Sequence, residues 1–434
     1  MDVKFQVKQA AKMLSQNALL PAAYEAHRFS KVEPNLVVFA DAHHDGRPEA
    51  MELLYRRLRK DQRIHVRQMY LDFGKASARQ ILEFSTQFMK RYAKASVIVI
   101  CDNFLPVASC RKRDKTLVIQ LWHGCGCYKK FGYDSKDDIP QGYHGDVFRN
   151  MDLVTVSADA AVLPFSSAMH KQPGQVKALG VSRTDLYYSK KWQERCRERF
   201  YDAYPQAKGR KIVLWAPTFR GNAGVPELLD LDVEKLQKQL GDDYLVLTRV
   251  HPHMKEAQKA LAHNCEIPTE QLYPVVDVLI ADYSSLIYEY LLVAQIRADE
   301  AAKVKNAAAS GQESGRVPEN VRQEDSGSVV LYVPDLEEYE RKRGFYMDIH
   351  EIPGQIVKTP EELAKAIRQA AGEAEPVKAA ADDAVQAAEK GPQSRDPEKE
   401  RIRRKTFLET YLSACDGKAT RRICQVILDH CGLH

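Results

Sequence analysis

The strongest constraint in this chain is a set of short runs that are apolar at nearly every position rather than at alternate ones. Ser96–Cys101 reads Ser-Val-Ile-Val-Ile-Cys and Leu117–Leu121 reads Leu-Val-Ile-Gln-Leu. Val37–Ala42, Leu153–Val156, Ile212–Ala216, Leu245–Val250, Val276–Ile280 and Val329–Val333 are built alike, and the more polar Ile64–Leu71 joins them as a strand candidate. A strand with one face in water alternates, whereas a parallel strand covered by helices on both faces does not. Parallel strands need crossovers, and Arg47–Arg59 and Ala76–Tyr92 carry apolar residues at helical spacing. The pattern predicts an α/β chain of doubly wound sheets.

At 434 residues the chain is long enough for two such units. The expected division is 1–190 and 205–434, with a linker in the charged stretch Tyr187–Arg210. Asp299–Ser328 and Ala371–Glu400 contain no Leu, Ile, Phe, Tyr or Trp and are expected to be surface insertions, because they lack the apolar surface to offset ordering. Arg401–Leu412 and Lys418–His430 read as terminal helices. The formal charge of +5, from 64 basic and 59 acidic residues, argues against a nucleic-acid partner. Nine scattered cysteines without a CxxC pair predict neither a zinc site nor a disulfide framework, and fit a reduced compartment. No signal-peptide pattern is present, and no apolar run approaches the ~20 residues of a membrane span.

Polar residues that directly follow apolar strands are the chemical candidates, because open α/β sheets bind ligands at their carboxyl ends. Trp122, His123 and Gly124 follow one strand, with Lys129 and Lys130 beyond. A histidine there can accept a hydroxyl proton near neutral pH. Arg249 and His251 follow another, with Pro252 ending it; His253 would offer a metal a second ligand, but no carboxylate or cysteine cluster supports a metal site. Thr218 and Arg220 leave a third strand. Asp282 leaves a fourth, ahead of Ser284 and Ser285 where a helix begins, a place suited to an anion; Glu289 lies within that helix. Arg343 lies in a basic, aromatic turn, and Asp416–Arg422 opens the last helix.

Taken in order, Trp122–Gly124, Gly180–Asp185, Ala216–Thr218, His251–Pro252, Asp282–Ser285, Arg343–Tyr346 and Asp416–Lys418 resemble the CDP-glycerol glycerophosphotransferase family of teichoic acid synthesis. The resemblance implies a glycosyltransferase-B-like fold, two Rossmann-like domains facing across a cleft. It implies transfer of a polyol phosphate from CDP-glycerol, or CDP-ribitol, to a lipid-linked or polymeric hydroxyl, releasing CMP, with no added cofactor. It makes His123 the general base and His251 a support for the donor pyrophosphate. Thr218, Arg220, Arg249, Asp282, Ser284, Ser285, Glu289 and Arg343 fall on the donor side, and Trp122, Gly124, Lys129, Lys130, Arg183 and Asp185 on the acceptor side. Cys125-Gly126-Cys127 replaces the family's Thr-Pro and predicts a looser turn, and Gly180-Val-Ser-Arg183 replaces Gly-Tyr-Pro-Arg. A sugar-nucleotide glycosyltransferase of the same fold, acting on a cell-surface polysaccharide, is one competing reading, and a non-catalytic polymer-binding protein that keeps the fold is another. A lipid-linked acceptor implies a bacterial cytoplasmic enzyme at the inner membrane face, touching lipid through residues 2–14 and the cations of Arg111–Lys115.

Overall fold

The computed structural model describes residues 10, 13–136, 138–139, 145–218, 220–222, 225–250, 262–309, 327–373 and 397–433. They form two compact units, Met1–Tyr188 with Thr410–His434, and Ser189–Glu409.

The first unit holds a six-stranded parallel sheet of β1 (Glu33–Asp41), β2 (His65–Tyr70), β3 (Ala95–Ile100), β4 (Leu117–Gln120), β5 (Leu153–Thr155) and β6 (Val176–Lys177), in the order β2-β1-β3-β4-β5-β6. Every residue of β3 is buried, as its unbroken apolar run requires, while β2 at the edge leaves His65, Arg67 and Gln68 exposed. Charged groups on an edge strand discourage pairing with another chain. The helix Glu49–Leu58 buries Ala50, Met51, Leu54 and Leu58, one face at helical spacing, and places glutamates in its first turn and arginines in its last, complementing its dipole. Ser77 and Gln80 form a capping box for the helix Ala78–Tyr92.

The second unit repeats the plan with β7 (Lys211–Trp215), β10 (Tyr244–Thr248), β11 (Val278–Ala281), β12 (Ser328–Tyr332) and β13 (Gln355–Val357), in the parallel order β10-β7-β11-β12-β13. A short antiparallel pair, β8 (Arg220–Asn222) and β9 (Val225–Glu227), lies outside this sheet. In both sheets the first strand is flanked by the second and the third, so the winding direction reverses between β1 and β3, and between β7 and β11. Such reversals open a crevice at the carboxyl ends of the strands.

Three sequence expectations are corrected here. The boundary between the units, Tyr188 to Ser189, falls inside the expected linker stretch Tyr187–Arg210, but most of that stretch belongs to the second unit: Lys190–Ala203 is a helix that buries Trp192, Gln193, Cys196 and Phe200, with Ser189 accepting from the Trp192 N–H. The last helix, Ala419–His430, belongs with the first unit, because Ile423, Cys424 and Ile427 complete the core around β1 and β3. Residues 299–309 continue the helix Leu286–Ala309, since their alanines favour helix although they cannot form a core. Residues 310–326 and 374–396 of the expected insertions lie outside the described residues. All nine cysteines are thiols outside any disulfide, eight of them buried. Among the described residues, no helix is long and apolar enough to cross a membrane.

Candidate active site

In the first unit, the loops that leave β1, β3 and β4 meet at the β1/β3 reversal. β3 runs out into Asp102 and β4 into Trp122 and His123. His123 Nδ1 lies 3.2 Å from Asp102 Oδ2, the histidine side chain 53% exposed and the aspartate 25%. A carboxylate on Nδ1 fixes the tautomer that leaves Nε2 as the proton acceptor. Burial pushes the Asp102 carboxyl up, but attraction to His123 and His43 outweighs it and holds the group at about 2.

Two features fix this pair. Trp122 has φ +57°, a region few non-glycine residues occupy, and its ring stacks on His123 at 4.6 Å while packing against Phe131 at 5.0 Å. Gln120, fully buried, accepts the Trp122 N–H at 2.9 Å and donates to the Asp102 carbonyl at 3.0 Å. One amide thus ties the end of β3 to the end of β4. From β1, buried Asp41 accepts from the His43 N–H at 2.8 Å and from His44 Nδ1 at 2.9 Å. That second bond, ahead of the opposing effect of burial, raises the His44 pKa. His43 Nε2 donates to the Asn103 carbonyl at 3.1 Å and comes within 3.9 Å of Asp102.

In the second unit, the β7/β11 reversal is organised by Asp282, 1% exposed. It accepts the Thr218 N–H at 3.0 and 3.1 Å, the Tyr283 N–H at 2.7 Å and Arg220 Nη1 at 2.8 Å. Arg220 also grips Asp335, which follows β12, through Nε at 2.6 Å and Nη2 at 3.0 Å, and donates to the Thr218 carbonyl at 2.8 Å. Tyr283 donates to Asp335 at 3.0 Å and stacks on Tyr339 at 3.8 Å, with the guanidinium 4.9 Å from the Tyr283 ring centre. Burial pushes the Tyr339 hydroxyl up to about 12. Ser284 and Ser285 are half-buried just before the helix Leu286–Ala309, and the Thr218 hydroxyl is enclosed without a hydrogen-bond partner among the described residues.

Residues 22–295 and 328–387 match the model of the CDP-glycerol:poly(glycerophosphate) glycerophosphotransferase family. The chain belongs to this family. It is 28% identical to a teichoic acid ribitol-phosphate primase of Bacillus spizizenii over 96% of this chain and 94% of that one. It is 29% identical to a teichoic acid poly(ribitol-phosphate) polymerase of the same organism, over 81% of this chain but 54% of that one. A teichoic acid glycerol-phosphate primase of Bacillus subtilis is 26% identical over 63% of this chain and 65% of its own length. Among solved structures, the wall teichoic acid polymerase TagF superposes with a TM-score of 0.66 at 17% identity, covering 100% of this chain and 99% of that one. The fold class is therefore glycosyltransferase-B-like, built from Rossmann-like units.

Against the residues that carry the family resemblance, the structure is uneven. His251, Pro252 and His253 lie outside the described residues. Thr218, Asp282, Ser284 and Ser285 come together at one strand edge, and Arg343 follows the helix Leu336–Lys342, where its charge acts on Tyr339. Arg220 is instead committed to two carboxylates, whereas Arg249 donates through Nη1 to the Cys265 carbonyl at 2.9 Å and keeps its Nε enclosed without a hydrogen-bond partner among the described residues. Glu289 is 2% exposed, enclosed by protein rather than presented to a ribose.

On the acceptor side, Gly124, Lys129 and Lys130 are half-buried beyond His123, and Arg183 acts electrostatically on Cys101 at the end of β3. Asp185 accepts the Ala419 and Thr420 N–H groups at 3.1 and 2.8 Å, so it caps the last helix. Arg422 is spent in the same junction, on Asp416 and on the Leu179 and Ala414 carbonyls. Gly180, at φ +88°, is required there, since any side chain would meet the Ala414 carbonyl. The turn after Gly124 is packed rather than loose: Cys125 and Cys127 are buried, and Gly126 donates to Ser157 Oγ at 3.0 Å. Of Arg111–Lys115, Lys112 pairs with Asp152 at 3.0 Å and Arg113 donates to the Ser30 carbonyl at 2.7 Å. Residues 1–9, 11 and 12 of the expected lipid-facing helix lie outside the described residues.

Sequence reasoning passed over Asp41, His43, His44, Asp102, Gln120 and Asp335. His43, His44, Asp102 and Asp335 follow apolar strands, a signal that was present, while Asp41 is the last residue of β1. Gln120 interrupts such a run. Only the strand order shows that these ends converge.

Proposed function

We propose that this protein transfers a polyol phosphate from a CDP-activated polyol to a hydroxyl of a teichoic-acid-type acceptor, polymeric or lipid-linked, and releases CMP. The observation that carries the mechanism is the exposed His123 imidazole held by Asp102 at the β1/β3 reversal. Nε2 takes the proton of the acceptor hydroxyl. The oxygen attacks the phosphorus that bears the polyol, the bond from that phosphorus to the bridging oxygen breaks, and CMP leaves with the electron pair. Asp102 steadies the imidazolium as it forms. The donor pyrophosphate is assigned to the second unit, where the Thr218 hydroxyl, Ser284, Ser285 and the helix N-terminus at Leu286 supply donors to an anion. CDP-glycerol is the donor for which the family is named, and CDP-ribitol is the alternative that the named relatives raise.

The test incubates the protein and a primed acceptor with CDP-glycerol, CDP-ribitol or a UDP-sugar and measures released nucleotide. CMP release with a CDP-polyol is expected. UDP release alone would turn the assignment to glycosyl transfer. His123→Ala is expected to lower CMP release by about 10²–10⁴-fold while CDP still binds; full turnover in that variant would remove the base.

A further inference from the structure

Asp102 faces two imidazoles. One carboxylate oxygen, Oδ2, lies 3.2 Å from His123 Nδ1, and the other, Oδ1, lies 3.9 Å from His43 Nε2. His43 Nε2 also meets the Asn103 carbonyl at 3.1 Å. A carbonyl oxygen only accepts, so Nε2 carries the hydrogen, and in the neutral ring Nδ1 is left with a lone pair. The ring is 40% exposed, and Nδ1 has no hydrogen-bond partner among the described residues. Its place is fixed by buried Asp41, which accepts the His43 N–H and His44 Nδ1. The exit of β1 thus sets a second imidazole lone pair in the crevice where His123 offers Nε2.

The charges around the pair decide what that lone pair meets. The loops 41–47, 71–76, 101–104 and 121–124 hold four Asp and two Lys or Arg. Both cations are taken, Arg47 by Glu52 and Lys75 by Asp45 and Asp72. The other two aspartates, Asp41 and Asp102, are held against His44 and His123. An acidic rim whose lysine and arginine are already paired disfavours a phosphate and admits a neutral hydroxyl, which is the donor a lone pair needs. We propose that His43 Nδ1 accepts the hydroxyl next to the one that attacks. The crevice then reads its acceptor as a polyol end, with hydroxyls on neighbouring carbons, rather than as a simple primary alcohol. His43 takes no proton from the attacking oxygen; it orients the polyol end and determines specificity. Which hydroxyl attacks rests on the transferase reading; recognition of the pair does not.

The test compares two water-soluble acceptors near pH 8, above the ordinary imidazole value of ~6.5. Octyl glycerol phosphodiester carries both hydroxyls; octyl 3-hydroxypropyl phosphodiester keeps the phosphate and the primary hydroxyl and lacks only the neighbouring one. CMP release from CDP-glycerol and CDP-ribitol gives kcat and KM for each. The wild type is expected to prefer the glycerol diester by about tenfold, chiefly through KM, as one hydrogen bond allows. In His43→Ala the two acceptors are expected to become equal. In His43→Asn, whose amide oxygen stands where Nδ1 stood, most of the preference is expected to remain. Both variants lose the bond to the Asn103 carbonyl, so a ring that only tied down the loop would fail alike in both. A wild type without the preference, a preference kept in His43→Ala, or one lost equally in both variants would overturn the proposal. Calorimetric binding of the two diesters without a donor separates the two readings. A preference seen there and abolished by His43→Ala, in a protein that releases no CMP, would leave the polyol recognition standing and remove only the transferase.

Discussion

The two units share one strand order and one reversal, yet they use the same position differently. In the first, the carboxylate beyond the third strand, Asp102, is a quarter exposed and holds a histidine that is half in water. In the second, the equivalent carboxylate, Asp282, is 1% exposed and is consumed by two backbone N–H groups outside regular structure and an arginine that also grips Asp335. One edge keeps a titratable nitrogen available for chemistry. The other spends its charges on rigidity and leaves hydroxyls and a helix end for a ligand. A fold-level repeat thus hosts one reactive and one receptive crevice, and which is which follows from what the carboxylate is paired with.

The largest effect that would break this contrast is on stability in the second unit. Arg220→Met leaves two carboxylates facing each other without their cation, where removal of one partner of a buried network costs about 3–5 kcal/mol. Urea unfolding should show a loss of that size. A loss below about 1 kcal/mol would mean that the network is a solvated surface cluster and the contrast between the crevices is false.

The first unit answers the reverse test. Asp102→Asn keeps the shape but offers Nδ1 no charge, so turnover is expected to fall about 10²-fold, and stability above pH 5 is expected to fall with it. The sign with pH follows from the lowered carboxyl: its contribution to folding is present above its unfolded value near ~3.9 and is lost as pH falls toward about 2. The variant and the wild type should therefore converge in stability in acid. Equal turnover at neutral pH would reduce Asp102 to a bystander.

The β-strands were legible because burial on both faces leaves no polar alternation, and the nine candidate runs all became strands. β6, β8, β9 and β13 were not, being only two or three residues long. His123, Thr218 and Asp282 were legible as polar residues at strand ends. What the sequence hid was partnership. Nothing local tells that Asp185 will cap a helix 234 residues later, or that Arg220 will meet Asp335 across 115 residues. Those pairings arise from strand order, and a residue that looks like a ligand is then found already bound. The Gly180–Asp185 and Asp416–Lys418 motifs, read as site elements, meet as one structural junction for the same reason.

The smallest effect separates the two histidines of β1's exit from the reactive one. His44 is bonded to buried Asp41, which raises its pKa above the ordinary value near ~6.5. A folded-state pKa above the unfolded one stabilises the protein fully below the unfolded value and ceases to do so as pH rises through the folded value. Wild-type stability should therefore fall slightly between pH 6 and 9, by an amount that disappears in His44→Gln, while CMP release by that variant at pH 7 changes less than threefold. The group is half exposed, so water screens much of the interaction and the slope is shallow. A variant with an unaltered slope would place the ring in solvent and Asp41 in the service of backbone alone; one with turnover as low as that of Asp102→Asn would enlarge the reactive crevice to include β1.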